Sequence, residues 1–249
     1  MKNLDKLEKY IKINDITFHS ENMDYLSLFP GFRFKEFIPT DDQLKKIQPF
    51  FVHLKEVLSA NNIYVYNYLL DWLSFIVQNP GKKTKVCIIF IDKSLYENSL
   101  FPNIIAKLFG IFGDNCCKKT NHTFDQFEKY IENKIFVSQL NHIITEYAML
   151  VLDKKVYRNG RNILNLMIHS NSFDKLQIDP FDWRCMIQEC SNKYEGNLEY
   201  LDNLSKMLRE EEQEILYNYL RCHEIKREYL SDFPITEAKK KLIEKNKNL

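Results

Sequence analysis

This chain lacks several features that would point quickly to a function. No run of about 18 apolar residues occurs anywhere in its 249 residues, so no transmembrane span is expected. The opening stretch, MKNLDKLEKYIKIND, is charged and helical in pattern, so it is not expected to act as a signal peptide. The net charge is only +1, so the whole-molecule field does not attract nucleic acid. Any such contact must come from a local patch. The six cysteines (87, 116, 117, 185, 190 and 222) form no CxxC pair and read as reduced thiols. Cys116-Cys117 with His122 is a weak metal pattern, and neither a metal nor a cofactor is expected. No internal repeat, low-complexity segment or primase-like carboxylate cluster is visible. What is present, 45% hydrophobic residues over 249 positions, suffices for one large core with accessory pieces.

A second absence lies inside a recognisable pattern. A helix is predicted over Tyr68–Gln78 and is stopped by Asn79-Pro80-Gly81. An apolar strand follows at Val86–Ile91, then a loop, then an apolar helix at Ile104–Phe109 ending at Gly110. Strand, loop and helix in this order are the setting of a phosphate-binding P-loop. The loop reads Asp92-Lys93-Ser94-Leu95-Tyr96-Glu97-Asn98-Ser99, with no glycine and no Gly-Lys-Ser/Thr. An unrelated α/β core would use the same strand and helix.

The text around that loop resembles a known family. YLLDWLSFIVQNPGKKTKV (68–86) is similar to the lead-in of superfamily 3 helicases, AAA+ ATPases found in poxvirus-type primase-helicases of large DNA viruses, virophages and mobile elements. YLSLFPGFRF (25–34) resembles the entry to that domain, and FDQFEKYIENKIFV (124–137) the Walker B strand. LMIHSN (166–171) resembles the sensor strand, DPFDWRCMI (179–187) the arginine-finger segment with Trp183 at its first arginine, and DFPITEAKKKLIE (232–244) the terminal segment. Aligned this way, the family's Walker A positions fall on Asp92, Glu97, Asn98 and Ser99. Its Walker B Asp-Glu pair falls on Leu140 and Asn141. Asn171 takes the place of the γ-phosphate sensor and Arg184 that of the arginine finger.

On this alignment the departures have physical weight. Side-chain-bearing residues at P-loop glycines cost ~1–2 kcal/mol each. A carboxylate ~4 Å from a phosphate charge costs about 1 kcal/mol in water and about 4 kcal/mol at an effective dielectric near 20. Leu140 and Asn141 supply neither a carboxylate toward Mg²⁺ nor a base for the attacking water. The expectation is therefore a degenerate, catalytically inactive pseudo-ATPase, not an enzyme.

The resemblance implies an α/β fold: an AAA+-like core with a central parallel sheet flanked by helices. The expected regions are a helical collar-like part at 1–65, the degenerate ATPase core at 66–195, and a C-terminal helical part with a basic tail at 196–249. Within these, helices are expected at 1–13 and at 41–60, the latter with Thr40-Asp41-Asp42 as its cap, and strands at 86–91, 135–140, 149–157, 162–169 and 184–188. One apolar stripe is expected from Asp202 to Leu230, with Arg209-Glu210-Glu211-Glu212 facing outward.

Asn159-Gly160 inside an alternating segment predicts a type I′ hairpin turn. Lys154, Lys155, Arg158 and Arg161 crowd that hairpin. It sits where the helicase family places its DNA-gripping hairpin, and a ring of subunits would repeat those cations around a channel. Arg184 is equally able to pair with Asp182 or Glu189, and His169 reads as a satisfied core histidine. The expected function is replication of a virus or mobile element, through oligomer assembly and contact with single-stranded DNA. The partner is a homo-oligomer or a hetero-ring with an active helicase, and the location is intracellular, without a membrane. The alternative is a non-enzymatic scaffold or structural protein derived from a helicase fold.

Overall fold

The structure, a computed structural model, describes residues 31–92, 100–109, 135–136, 144–146, 148–153, 156–161, 165–170, 172–173, 176–179 and 181–247. The helix expected at 1–13 lies outside these residues.

The 41–60 helix begins where the sequence places its cap. Thr40 and Gln43 form a reciprocal capping box, and α1 (Asp41–Lys46) follows. It does not run straight to residue 60. Pro49 lacks an amide hydrogen and restarts the chain as α2 (Gln48–Val52), which continues into a π-helical stretch, His53–Leu58. Ala60 and Asn61 then take positive φ values of 47° and 61° and turn the chain. Asn62 accepts from the amides of Tyr64 and Val65 and opens α3 (Ile63–Gln78). Ten of the sixteen α3 residues are buried, so this helix is central. It ends at Asn79-Pro80-Gly81, where Gly81 holds φ +81°.

β1 (Cys87–Ile91) is buried along its whole length. It is the middle strand of a parallel three-stranded sheet, order β5-β1-β7, with β5 at Met167–Ser170 and β7 at Cys185–Glu189. A continuous apolar run suits a strand covered on both faces. On one face Ile88, Phe90 and Met186 join the larger core with Phe50, Tyr68, Trp72 and Phe101 of the helices. On the other, Cys87, Ile89, Ile91, Cys185 and Ile187 join a smaller core closed by Ala238 and Leu242. Phe101 comes from α4 (Leu100–Leu108), the helix that follows β1 in the chain. The larger core runs from Phe34 to Leu230 and thus draws on all three expected regions. The architecture is α/β, a small parallel sheet flanked by helices.

Two smaller pairings complete the described strands. β2 (Ile135–Phe136) pairs in parallel with β6 (Leu176–Gln177). β3 (Ala148–Asp153) and β4 (Val156–Arg161) form an antiparallel hairpin. The single strand expected at 149–157 is therefore two arms. The turn also differs from expectation. Asp153 pairs with Val156, so the connection is Lys154-Lys155, while Asn159 and Gly160 sit inside β4 opposite Leu150 and Met149. Here pairing along six positions outweighs the local turn preference of Asn-Gly.

The stripe from Asp202 to Leu230 is also broken. α5 (Leu198–Ser205) runs through a short 3₁₀ segment to Arg209, whose extended backbone (φ −76°, ψ 153°) starts a new helix, α6 (Glu210–Cys222). The acidic run occupies the first turn of α6, where carboxylates offset the helix dipole. Glu210 pairs with Arg33 at 2.8 Å and Glu211 with Lys46. Glu212 is buried and does not face outward. Beyond Cys222 the chain leaves the helix, and α7 (Glu237–Lys247) forms the C-terminal element. Thr236 caps it, accepting from the Lys239 amide at 3.1 Å and donating to the Ile187 carbonyl.

Candidate functional site

The carboxyl ends of parallel strands are the usual ligand-binding edge of an α/β sheet. Here β1 ends in Asp92, which is buried and whose amide donates to the Ser170 carbonyl at 2.7 Å. The Cys190 amide donates to the Ile91 carbonyl at 2.9 Å, closing the other side. Burial, then the charges of Asp92 and Glu189, push the Cys190 thiol well above its ordinary value. Asp92 is thus part of a packed strand end. The other aligned positions, Glu97, Asn98, Ser99, Leu140, Asn141 and Asn171, lie outside the described residues. The strand-then-helix unit around the loop is present as β1 and α4.

Behind this edge sit two imidazoles. His169 of β5 is level with Phe90, the ring centroids being 5.1 Å apart. Among the described residues neither of its ring nitrogens, both closed off from solvent, has a hydrogen-bond partner, so the expected satisfied histidine is unsatisfied there. Burial pushes its pKa down to about 4. His53, in the π-helical stretch, has Nδ1 2.7 Å from the Tyr200 hydroxyl, while its Nε2 has no partner among the described residues. Burial first, and then His169, push its pKa to about 3. Both rings are neutral at physiological pH and supply no charge to a phosphate. The sequence singled out only His169. The signal for His53 was a lone imidazole inside the apolar run Phe50-Phe51-Val52-His53-Leu54.

The opposite, amino-terminal edge has a different chemistry. The chain entering β1 carries Lys82, Lys83 and Lys85. Asn165, just before β5, accepts from the Thr84 amide at 2.7 Å and donates to the Lys82 carbonyl at 3.0 Å. Lys83 Nζ donates to the Glu146 carbonyl at 3.1 Å. Burial, more than the opposing pull of Glu146, brings the Lys83 pKa down to about 8, and Lys85 lowers it further. Glu146 and Asn165 flank the β3–β4 hairpin, so this lysine loop roots both of its ends. Arg158 stands opposite Val151 and Arg161 opposite Ala148 in the hairpin ladder. Lys154 and Lys155 are the connection and lie outside the described residues. The lysine loop was missed as a site, although Gly81-Lys82-Lys83-Thr84-Lys85 was there to read.

At the same edge, the chain entering β7 is built around Asp182. Its side chain is 1% exposed and holds the Arg184 guanidinium by two contacts, 2.8 and 3.1 Å. The same carboxylate accepts from the Arg184 and Cys185 amides at 2.8 and 3.0 Å. The Asp182 pairing that the sequence allowed for Arg184 is therefore formed. Buried Lys239 of α7 donates from Nζ to the carbonyls of Asp182 and Cys185, at 2.5 and 2.8 Å. Trp183 lies 5.6 Å from the Arg184 guanidinium and is half exposed. Among the described residues, no group of three or more His, Cys, Asp or Glu is placed to hold a metal. Among them, no helix is long and apolar enough to cross a membrane.

No protein-family model matches the chain. The chain is similar to a DNA primase-polymerase of Nitratiruptor phage NrS-1, with 25% identity over 256 residues, 90% of this chain and 33% of that protein. Its fold is similar to apo structures of the NrS-1 C-terminal region. One has a TM-score of 0.62 at 20% identity and another 0.62 at 18%, each covering 86% of this chain and 53% of that one. The chain thus spans a third of the curated relative and about half of the structural ones. The similarity supports a tie to a phage replication protein. It does not single out a superfamily 3 helicase that has lost its motifs. The expectation that the chain is not an enzyme is overturned, because the curated protein it resembles is an enzyme. That expectation rested on aligning loop 92–99 and Leu140-Asn141, of which only Asp92 is described.

Proposed function

We propose that this chain is a domain of a DNA-replication protein of a virus or mobile element, that it works inside the cell, and that it contacts single-stranded DNA along the hairpin-bearing edge of its sheet. The observation that carries this reading is similarity to a phage primase-polymerase across nine-tenths of the chain. The cationic hairpin rooted in a lysine loop supports the DNA contact. Three features support an AAA+-like, superfamily 3 reading of the fold. They are the strand-then-helix unit at 87–108, the sensor-like strand β5 bonded alongside β1, and the hairpin placed just before β5.

In this reading Lys154, Lys155, Arg158 and Arg161 neutralise phosphates. Subunits assemble as a homo-oligomer or with an active helicase, and each adds its own hairpin. Arg184, oriented by Asp182 and 20% exposed, is the cation available to a neighbouring subunit.

The test is fluorescence anisotropy of labelled single-stranded DNA across a salt series, with sedimentation to read assembly. Binding falls linearly on logarithmic axes, and each lost phosphate contact reduces the slope by roughly 0.7. The double variant Lys155→Ala/Arg158→Ala should reduce it by up to about 1.4. Equal slope and affinity in wild type and variant would sink the hairpin contact.

A further inference from the structure

The turn that leads into β7 presents two aromatic side chains to solvent: Phe181 is 90% exposed and Trp183 54%. Leaving such groups in water forgoes the favourable free energy of burying apolar surface. The turn that displays them is firmly built. The Phe181 amide donates to the Asp179 carboxylate at 2.7 Å, and the Asp182 amide to the Asp179 carbonyl at 3.0 Å. Asp182 is buried beneath and fixes the next two amides, and Lys239 holds the carbonyls. The aromatics therefore stand on a rigid base and need little ordering to bind.

Their surroundings are cationic. The Cys87 amide donates to the Arg184 carbonyl at 2.8 Å, so the lysine-bearing approach to β1 and the aromatic turn run side by side. Lys82, Lys83 and Lys85 lie on that approach, and the Arg184 guanidinium sits against Trp183. A second protein copy would meet these aromatics with apolar surface and would have to bury the lysines. A single-stranded nucleic acid uses both groups at once, stacking bases on the rings and setting phosphates against the lysines.

We propose that Phe181 and Trp183 form a base-stacking platform for single-stranded DNA, with exposed Lys82 on the neighbouring lead-in to β1 facing the adjoining phosphates. This rests on the DNA-contact reading above and extends it from the hairpin to a second element.

The two tryptophans make the test direct. Trp72 is buried with its indole N–H on Thr84, so a change in tryptophan emission on adding a deoxythymidine oligomer of about 16 nucleotides reports Trp183. Stacking should quench that emission, and Trp183→Phe should abolish the signal while largely retaining affinity. Phe181→Ala and Trp183→Ala should each weaken binding about five- to a hundred-fold, with the salt slope unchanged. The Lys155→Ala/Arg158→Ala variant should do the reverse, reducing the slope and leaving the quench. Unchanged urea midpoints for the aromatic variants would confirm intact folding. DNA binding with neither quench nor affinity loss in the aromatic variants overturns the platform while the hairpin contact stands. Loss of self-association in those variants, with DNA affinity intact, assigns the surface to a second copy and also overturns it. No binding by the wild type at low salt sinks both readings.

Discussion

The two ends of the β5-β1-β7 sheet are built from opposite materials. At the carboxyl end, buried Asp92 and the imidazoles of His53 and His169 are packed against helices and the π-helical stretch. At the amino end, lysines, an arginine and two exposed aromatics surround a small buried polar anchor. The difference is one of task. At the first end burial pushes the two imidazoles down and the Cys190 thiol up. At the second end, one buried carboxylate organises a turn whose two aromatic side chains are exposed. Changes at the carboxyl end and to the buried Asp182 anchor should therefore register in stability, and changes to the exposed side chains of the amino end in binding.

The largest effect should come from Phe90→Ala, which removes a fully buried ring beside His169. A loss of about 3–5 kcal/mol is expected by urea denaturation. A loss below about 1 kcal/mol would mean the carboxyl end is not the packed region. Next, Asp182→Ala should cost about 3 kcal/mol, because it leaves Arg184 and two amides without their shared acceptor. Asp182→Asn keeps the shape and should fall between the two. If Asp182→Ala is neutral in stability, the amino end has no anchor and the contrast fails.

Acid should act on the carboxyl end alone. Both histidines titrate lower in the folded chain, at about 3 and about 4, than their ordinary 6.5. The unfolded chain therefore takes up protons first. Stability should be level above about pH 6.5 and decline as the pH falls toward 4, by about 2 kcal/mol per imidazole at pH 5. Thermal melts of wild type and His169→Phe between pH 7 and pH 5 check this, the variant showing the shallower decline. A wild-type melt that is flat over this interval would rule out the buried neutral pair. Smallest of all, Phe181→Ala and Trp183→Ala should each shift stability by less than about 0.5 kcal/mol. A larger change would mean that these rings pack and do not stand free.

Local chemistry made much of this readable in the sequence. The apolar run at 87–91 was placed as a strand within one residue, and the stop at Asn79-Pro80-Gly81 ends α3 where proposed. The Thr40 cap was also legible. The misses came from non-local pairing. Asn159-Gly160 carries the strongest local turn signal, yet the β3–β4 ladder closes at Lys154-Lys155. Arg209 looked like the interior of one long amphipathic stretch, but the three glutamates after it mark a helix start. Of the candidate site, the hairpin cations and Arg184 were identified from sequence, and the Asp182 pairing was one of two options. The lysine loop, the aromatic turn and His53 gain meaning only when separate segments are brought to one sheet edge. The reading of catalytic silence failed for another reason: it relied on residue identities at 92–99 and at Leu140-Asn141, placed by alignment to a resemblance and not by chemistry of their own.

Lys239 has one more consequence. Its ammonium is docked onto two carbonyls of the β7 lead-in, and Thr236, three residues earlier, is bonded to the middle of that strand. The last helix is therefore pinned to the sheet at two heights, like a rod bolted through a plate. Sliding it by one residue would pull a charge off its seat. The Phe181–Trp183 turn shares that seat through the Asp182 carbonyl, so a displacement of α7 is felt at the turn as well as in the strand.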